Sequence, residues 1–135
     1  EEATKINLQY IDTAQAYKSS EEVLGRNIPS HANFKIISKI SPSITNTSKG
    51  DLIIELENKF QKSLKNLKKN NIDSLLFHDP NILKNKNFPI IIDWIESLKE
   101  RNLINRIAFA IFRKFRRCCY GVRRSIWILI HRIIV

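Results

Sequence analysis

The feature that most constrains the fold is an alternation of short apolar, β-branched segments with longer segments of helical periodicity. Strands are predicted over residues 8–12, 34–40, 72–78 and 104–112. Helices are predicted over residues 19–25, 49–69 and 89–101. Strands that alternate with helices in this way form parallel sheets, with the helices as crossover connections. The sequence therefore predicts an α/β fold.

Local signals support the predicted helices. Apolar residues recur at steps of 3 and 4 along the longest one, which is the spacing of one helical face; they are Ile53, Leu56, Phe60, Leu64 and Leu67. Ser19 and Glu22 have the spacing of a capping box at the start of the first helix, and Gly25 suits its end. Pro89 suits the first turn of the third helix.

The charge of the chain is unevenly distributed. The formal net charge is +10. Residues 113–135 hold seven basic side chains and no acidic one, whereas residues 1–112 hold 16 basic and 13 acidic side chains. The basic residues also change from mostly Lys to mostly Arg at this boundary. We therefore divide the chain into a folded part, residues 1–112, and an aberrant basic and apolar tail, residues 113–135. The tail is interpreted as a frameshifted or unrelated segment, with a genuine basic tail as the rival hypothesis.

Composition excludes several classes of protein. The basic charge lies mainly in the tail, so no nucleic-acid partner is expected for the folded part. The adjacent Cys118 and Cys119 have the spacing of neither a redox motif nor a zinc site, and no metal site is predicted. No apolar run is long enough to span a bilayer. The chain opens on Glu1 and Glu2 rather than on a signal-peptide pattern, from which we expect a cytoplasmic location.

Four polar residues occupy the positions where parallel α/β folds carry their reactive groups, the carboxyl ends of strands and the loops that follow. Asp12, Lys39 and His78 lie at or near the ends of the first three predicted strands, and Tyr17 lies in the first loop. An ammonium group beside a tyrosine lowers the pKa of the phenol. A carboxylate would keep that ammonium charged and oriented, and a histidine could orient a carbonyl oxygen. The set predicts proton transfer within a fixed electrostatic frame.

The segments around these residues resemble the aldo-keto reductase family. The residues Ile-Asp-Thr-Ala at 11–14, Tyr17 and Ser-Glu-Glu-Val-Leu-Gly at 20–25 are similar to its signature segment. Ile-Ser-Lys at 37–39 and Leu-Leu-Phe-His-Asp-Pro at 75–80 resemble the next two landmarks in the same order. The resemblance implies a partial TIM (β/α)8 barrel, about half of it, covering roughly the second to fifth βα units.

The resemblance also implies an activity, the NADPH-dependent reduction of a small aldehyde or ketone. Tyr17 would be the general acid, and Lys39 would lower its pKa. Asp12 would pair with Lys39 and contribute to cofactor binding, and His78 would orient the substrate carbonyl. The specific substrate and the oligomeric state stay open.

The length of the chain qualifies that activity. A complete barrel of this kind needs about 250 residues, against 135 here. We therefore expect this chain to be an inactive fragment of the reductase type. Two alternatives remain at this point: a non-catalytic binding module that acts through the Arg-rich tail, and a pseudogene product without function.

Overall fold

A computed structural model describes residues 8–29, 32–43 and 48–109. Each predicted strand and helix is present, with ends that differ by a few residues. In chain order the elements are β1 (Tyr10–Asp12), α1 (Ser20–Asn27), β2 (Lys35–Ile40), α2 (Lys49–Leu67), β3 (Ile72–Phe77), a 3-10 helix (Pro80–Lys84), α3 (Phe88–Glu100) and β4 (Ile104–Phe109). The predicted end of the last strand at residue 112, and the whole tail at 113–135, lie outside the described residues.

The four strands form one sheet in the order β1-β2-β3-β4, and each neighbouring pair is parallel. The predicted α/β class is therefore confirmed. Because the strands are parallel, their carboxyl ends lie along the same edge of the sheet. The register sets Asp12 opposite Ile37 and Lys39 opposite Leu76, so the strand-end residues that the sequence singled out are brought to this edge.

The main apolar core lies between the sheet and the helices. Ile36 and Ile40 of β2 and Leu75 and Phe77 of β3 are buried on the side of the sheet that the helices cover. Further buried side chains come from the helices: Leu52, Leu56, Phe60, Leu64 and Leu67 of α2, and Ile91, Trp94, Ile95 and Leu98 of α3.

The buried face of α2 differs from the predicted one at its first turn. Ile53 is 40% exposed, whereas its neighbour Leu52 is 4% exposed. Both residues stand at a helical spacing from Leu56, four residues back for Leu52 and three for Ile53, so periodicity alone does not decide between them. In the structure Leu52 packs into the core, and the Ser48 side chain caps the helix start by accepting a hydrogen bond from the Asp51 N–H.

Two local predictions for α1 are wrong. Ser19 is the N-cap residue, but its side chain makes no capping hydrogen bond. The helix also continues past Gly25 to Asn27. Gly25 is buried against α2, where a Cβ atom would lie 2.1 Å from the carbonyl oxygen of Asn66 and 2.8 Å from the carbonyl carbon of Leu67. The glycine therefore permits two helices to touch rather than ending one of them.

A charged network joins α2 to α3. The Arg101 guanidinium donates to both carboxylate oxygens of Glu57, at 3.0 and 3.3 Å. The Trp94 indole N–H and the Gln61 amide also donate to this carboxylate, at 3.0 and 2.9 Å. The Arg101 hydrogen bonds, together with those from the amide and the indole, lower the pKa of Glu57 to about 2. The network therefore stabilises the ionised carboxylate between the two helices.

Candidate active site

The site is built around an ion pair between the ends of β1 and β2. The Lys39 Nζ lies 2.6 Å from both carboxylate oxygens of Asp12 and also donates to the Thr13 carbonyl oxygen at 3.2 Å. The Lys39 side chain is 10% exposed, whereas that of Asp12 is 56% exposed. The ammonium group is thus buried with its charge balanced, and part of the Asp12 carboxylate faces solvent.

Tyr17 lies in the loop of residues 13–19, between β1 and α1. Its ring centroid is 5.2 Å from the Lys39 Nζ, which is a cation–π distance. The Tyr17 N–H donates to the Ala14 carbonyl oxygen, and the Ser20 N–H donates to the Tyr17 carbonyl oxygen, both at 3.0 Å. The residue is 47% exposed. The phenol is therefore held over the ammonium and stays accessible to a ligand.

His78 follows β3 at the same edge of the sheet. Its backbone N–H donates to the Ile40 carbonyl oxygen at 2.9 Å, which continues the β2–β3 ladder by one residue. Its ring stands edge-on to Tyr17, with centroids 6.4 Å apart and an angle of 83° between the planes. The structure thus brings together all four residues that the sequence singled out, with Tyr17 between the imidazole and the ammonium.

Gln15 also belongs to this site, although the sequence gave no reason to select it. Its backbone N–H donates to the Lys39 carbonyl oxygen at 3.2 Å. Its side-chain amide donates to the Ser63 hydroxyl at 2.8 Å and to the Lys59 carbonyl oxygen. Both side-chain partners lie on α2, more than forty residues along the chain. No local sequence signal could have revealed these contacts.

A buried carboxylate supports β2 from the helix side. Glu21 of α1 is 2% exposed and accepts a hydrogen bond from the Ser38 hydroxyl at 2.6 Å. The Asn66 side chain of α2 donates to its other oxygen at 3.4 Å. Ser38 immediately precedes Lys39, so this contact fixes the strand at the residue beside the ion pair.

Comparison with known proteins identifies the family of the chain. The aldo/keto reductase family model matches residues 1–116. The chain belongs to the aldo/keto reductase family. A search of curated protein sequences gives no significant match.

Solved structures of the same family share the fold. A Pseudomonas aeruginosa protein assigned to the aldo-keto reductases superposes with a TM-score of 0.64 at 26% identity, covering 80% of this chain and 42% of its own. The aldo-keto reductase of Bacillus halodurans in its holo form superposes with a TM-score of 0.66 at 18% identity, covering 81% of this chain and 38% of its own. The aldo-keto reductase of Klebsiella pneumoniae in complex with NADPH superposes with a TM-score of 0.59 at 23% identity, covering 78% of this chain and 35% of its own. The chain thus spans about two fifths of the length of these relatives, and the prediction of a partial aldo-keto reductase barrel is confirmed.

A second tyrosine lies on the same strand as Asp12. Tyr10 stands two residues earlier and so faces the same side of the sheet. The Arg106 Nη1 lies 3.5 Å from its hydroxyl, and the Lys35 Nζ lies 5.3 Å from its ring centroid. The hydrogen bond with Arg106, followed by that with Lys35, lowers the pKa of the Tyr10 phenol. Among the described residues of this aldo-keto reductase fold, two tyrosines therefore lie beside cations, and Tyr17 is the one whose ring contacts His78.

Two further findings on the described residues concern metal binding and membrane spanning. No group of three or more His, Cys, Asp or Glu side chains among them could hold a metal ion. None of the helices in the part of the chain that the structure describes is long and apolar enough to cross a membrane.

Proposed function

We propose that this chain carries the catalytic residues of an NADPH-dependent reductase of small aldehydes or ketones. One observation supports this most directly. The buried Lys39 ammonium contacts the Asp12 carboxylate at 2.6 Å and lies 5.2 Å from the ring of an accessible tyrosine. His78 lies edge-on to that same ring. Because the chain covers under half of its relatives, the activity of the whole enzyme is part of the proposal.

In the proposed mechanism, Tyr17 donates its phenolic proton to the carbonyl oxygen as that oxygen becomes an alkoxide. Lys39 lies beside the phenol and stabilises the negative charge left on Tyr17 after the proton has moved. Asp12 keeps the ammonium charged and directed toward the site. His78 orients the substrate oxygen toward the phenol, and the exposure of Tyr17 leaves room for the substrate.

NADPH is the cofactor that we propose for the whole enzyme, and this chain carries only a small part of the site that binds it in the family. NADPH, when bound, supplies the hydride. Asp12 is the residue that we propose contacts the cofactor, since its side chain is 56% exposed while it pairs with Lys39. The NADPH complex of the Klebsiella relative supports the choice of cofactor. The need for reduced cofactor supports a cytoplasmic location for the protein.

A chimera tests the catalytic assignment. Residues 8–109 of this chain replace the matching segment of the Pseudomonas relative, and NADPH oxidation is followed with a panel of aldehydes. We expect turnover that Tyr17→Phe lowers by about a hundredfold or more, the range for a lost general acid. Tyr10→Phe is the matched control, because it removes the hydroxyl of another tyrosine that lies beside a cation and leaves the ring contact between Tyr17 and His78 in place.

The outcomes separate cleanly. The assignment of Tyr17 as the acid would be refuted if Tyr17→Phe and Tyr10→Phe lost turnover equally, or if Tyr17→Phe lost none. A folded chimera without turnover would refute the proposed reductase site. The 135-residue chain is assayed beside the chimera, and turnover there would contradict the expectation of an inactive fragment.

A further inference from the structure

The position of Tyr17 depends on the loop that carries it. Its ring contacts Lys39 and His78 at centroid distances of 5.2 and 6.4 Å, and half of the residue faces solvent. One face contact with Lys39 and one edge contact with His78 leave this half-exposed ring able to shift if the backbone moves. What holds residues 13–19 therefore determines where the phenol lies.

The loop is held in a conformation that its sequence does not favour. Lys18, directly after Tyr17, has a φ of 52°. This left-handed conformation is unfavourable for a residue with a side chain larger than glycine, and it persists only where the surrounding structure enforces it. Lys18 is itself exposed, so the enforcing contacts must come from other residues of the loop.

Gln15 supplies contacts of this kind from the middle of the loop. Its backbone N–H binds the Lys39 carbonyl oxygen, and its side-chain amide binds Ser63 and the carbonyl oxygen of Lys59. Ser63 is fully buried, so loss of the amide would leave its hydroxyl without this partner. The Gln15 side chain thus ties the loop to α2, two residues before Tyr17.

We propose that Gln15 is a positioning residue, which fixes the Tyr17 loop on α2 and so holds the phenol between Lys39 and His78. Its catalytic importance rests on the proposed function, whereas its anchoring of the loop does not. Gln15→Met tests it, since methionine keeps the length of the side chain and removes the amide. Gln9→Met is the matched control, because Gln9 is exposed and precedes β1.

Two measurements on the 135-residue chain follow the loop without any need for activity. The chain has three tyrosines, so 13Cζ-labelled tyrosine gives three NMR signals, and Tyr17→Phe identifies the one from Tyr17. We expect Gln15→Met to move or broaden that signal and leave the Tyr10 signal unchanged. We also expect tryptic cleavage after Lys18 to become about tenfold faster, with Gln9→Met unchanged in both assays.

Ser63→Ala provides the second variant, because it removes one of the two side-chain hydrogen bonds of Gln15 from the α2 side and leaves the one to the Lys59 carbonyl oxygen. It should give changes in the Tyr17 signal and in the cleavage rate of the same kind but smaller, even if Gln15→Met fails to fold. An unchanged Tyr17 signal and an unchanged cleavage rate in both variants would overturn the anchoring. Equal changes at Tyr10 and Tyr17 would indicate general destabilisation and would also overturn it.

The chimera then tests the positioning role. Gln15→Met should lower kcat about tenfold and leave the KM for NADPH unchanged. A loosened loop with normal kcat would overturn the role of Gln15 in positioning. A loosened loop together with an inactive parent chimera would instead refute the proposed function and leave the anchoring intact.

Discussion

The contact at Gly25 allows a sharp prediction about stability. A methyl group added there would lie 2.1 Å from the Asn66 carbonyl oxygen, 2.8 Å from the Leu67 carbonyl carbon and 3.0 Å from the Leu67 Cα. All three atoms belong to the backbone of α2, so no rotamer change can make room. Gly25→Ala therefore forces α1 and α2 apart by roughly an ångström to restore a normal contact distance.

Two opposing effects determine how much Gly25→Ala changes the free energy of unfolding. Alanine is favoured over glycine inside a helix by about 1 kcal/mol. Overpacking of a close-packed contact costs typically about 1–3 kcal/mol, and more where backbone must move. Separation of the helices also loosens the hydrogen bond from Asn66 of α2 to the Glu21 carboxylate of α1. We expect the packing cost to exceed the helix gain, with a net loss of about 2 kcal/mol in the free energy of unfolding.

Gly50→Ala is the matched control, because Gly50 lies in the first turn of α2 and an added Cβ meets nothing within 4 Å. This variant should be unchanged or more stable by up to about 1 kcal/mol. Urea unfolding of the two variants and the parent chain measures both changes. If Gly25→Ala is as stable as the parent, or if the two substitutions have the same sign and size, the close helix contact described here is wrong.

Three other substitutions test separate contacts. The folded-state pKa of Glu57 is about 2, below its usual value of 4.5, so its ionised form stabilises the fold above pH 4.5 and this contribution is lost as the pH falls toward 2. Glu57→Gln should lower the free energy of unfolding by about 1 kcal/mol near neutral pH, after allowance for solvent screening. Urea titrations at lower pH should show a progressively smaller loss. A stability difference between variant and parent that does not change with pH would contradict this. Lys39→Met should abolish NADPH oxidation by the chimera. It should change the free energy of unfolding by less than about 1 kcal/mol, because a buried ion pair contributes little net stability and Asp12 stays hydrated. Thermal unfolding measures this change, and a large loss of stability would refute the expectation. Ser38→Ala should cost about 2 kcal/mol in urea unfolding, because the buried Glu21 carboxylate loses a charged hydrogen bond; a cost near zero would mean that the 2.6 Å contact is not maintained in solution.

The order and type of the elements could be predicted because each depends on local chemistry. The strands are short β-branched runs, and α2 has an apolar face at a 3.6-residue period. The prediction that Ile53 lies on the buried face of α2 was wrong, because Leu52 satisfies the same period and is the residue buried there. The prediction that Gly25 ends α1 was wrong because contact with α2, some forty residues away, overrides a local preference.

The site residues likewise divide into those that local sequence reveals and one that depends on distant contacts. Asp12, Lys39 and His78 could be selected from the sequence since each ends an apolar strand, and parallel strands bring such ends to one edge. Tyr17 was added from the loop because its phenol, beside an ammonium group, gives the set a proton donor, and the family resemblance then gave the set a specific activity. Gln15 could not be selected, because its partners on α2 are distant in sequence and an amide in a polar loop carries no signal.

The sequence by itself determined the alternation of strands and helices, the family and the four residues gathered at the carboxyl edge of the sheet. These follow from periodicity and from motifs, which are properties of neighbouring residues. Only the tertiary structure decided that the Lys39 ammonium is buried against Asp12, that Gly25 is a helix contact and that Gln15 anchors the Tyr17 loop. Those facts depend on distances between residues far apart in the chain, and such distances are set by how the sheet and helices pack.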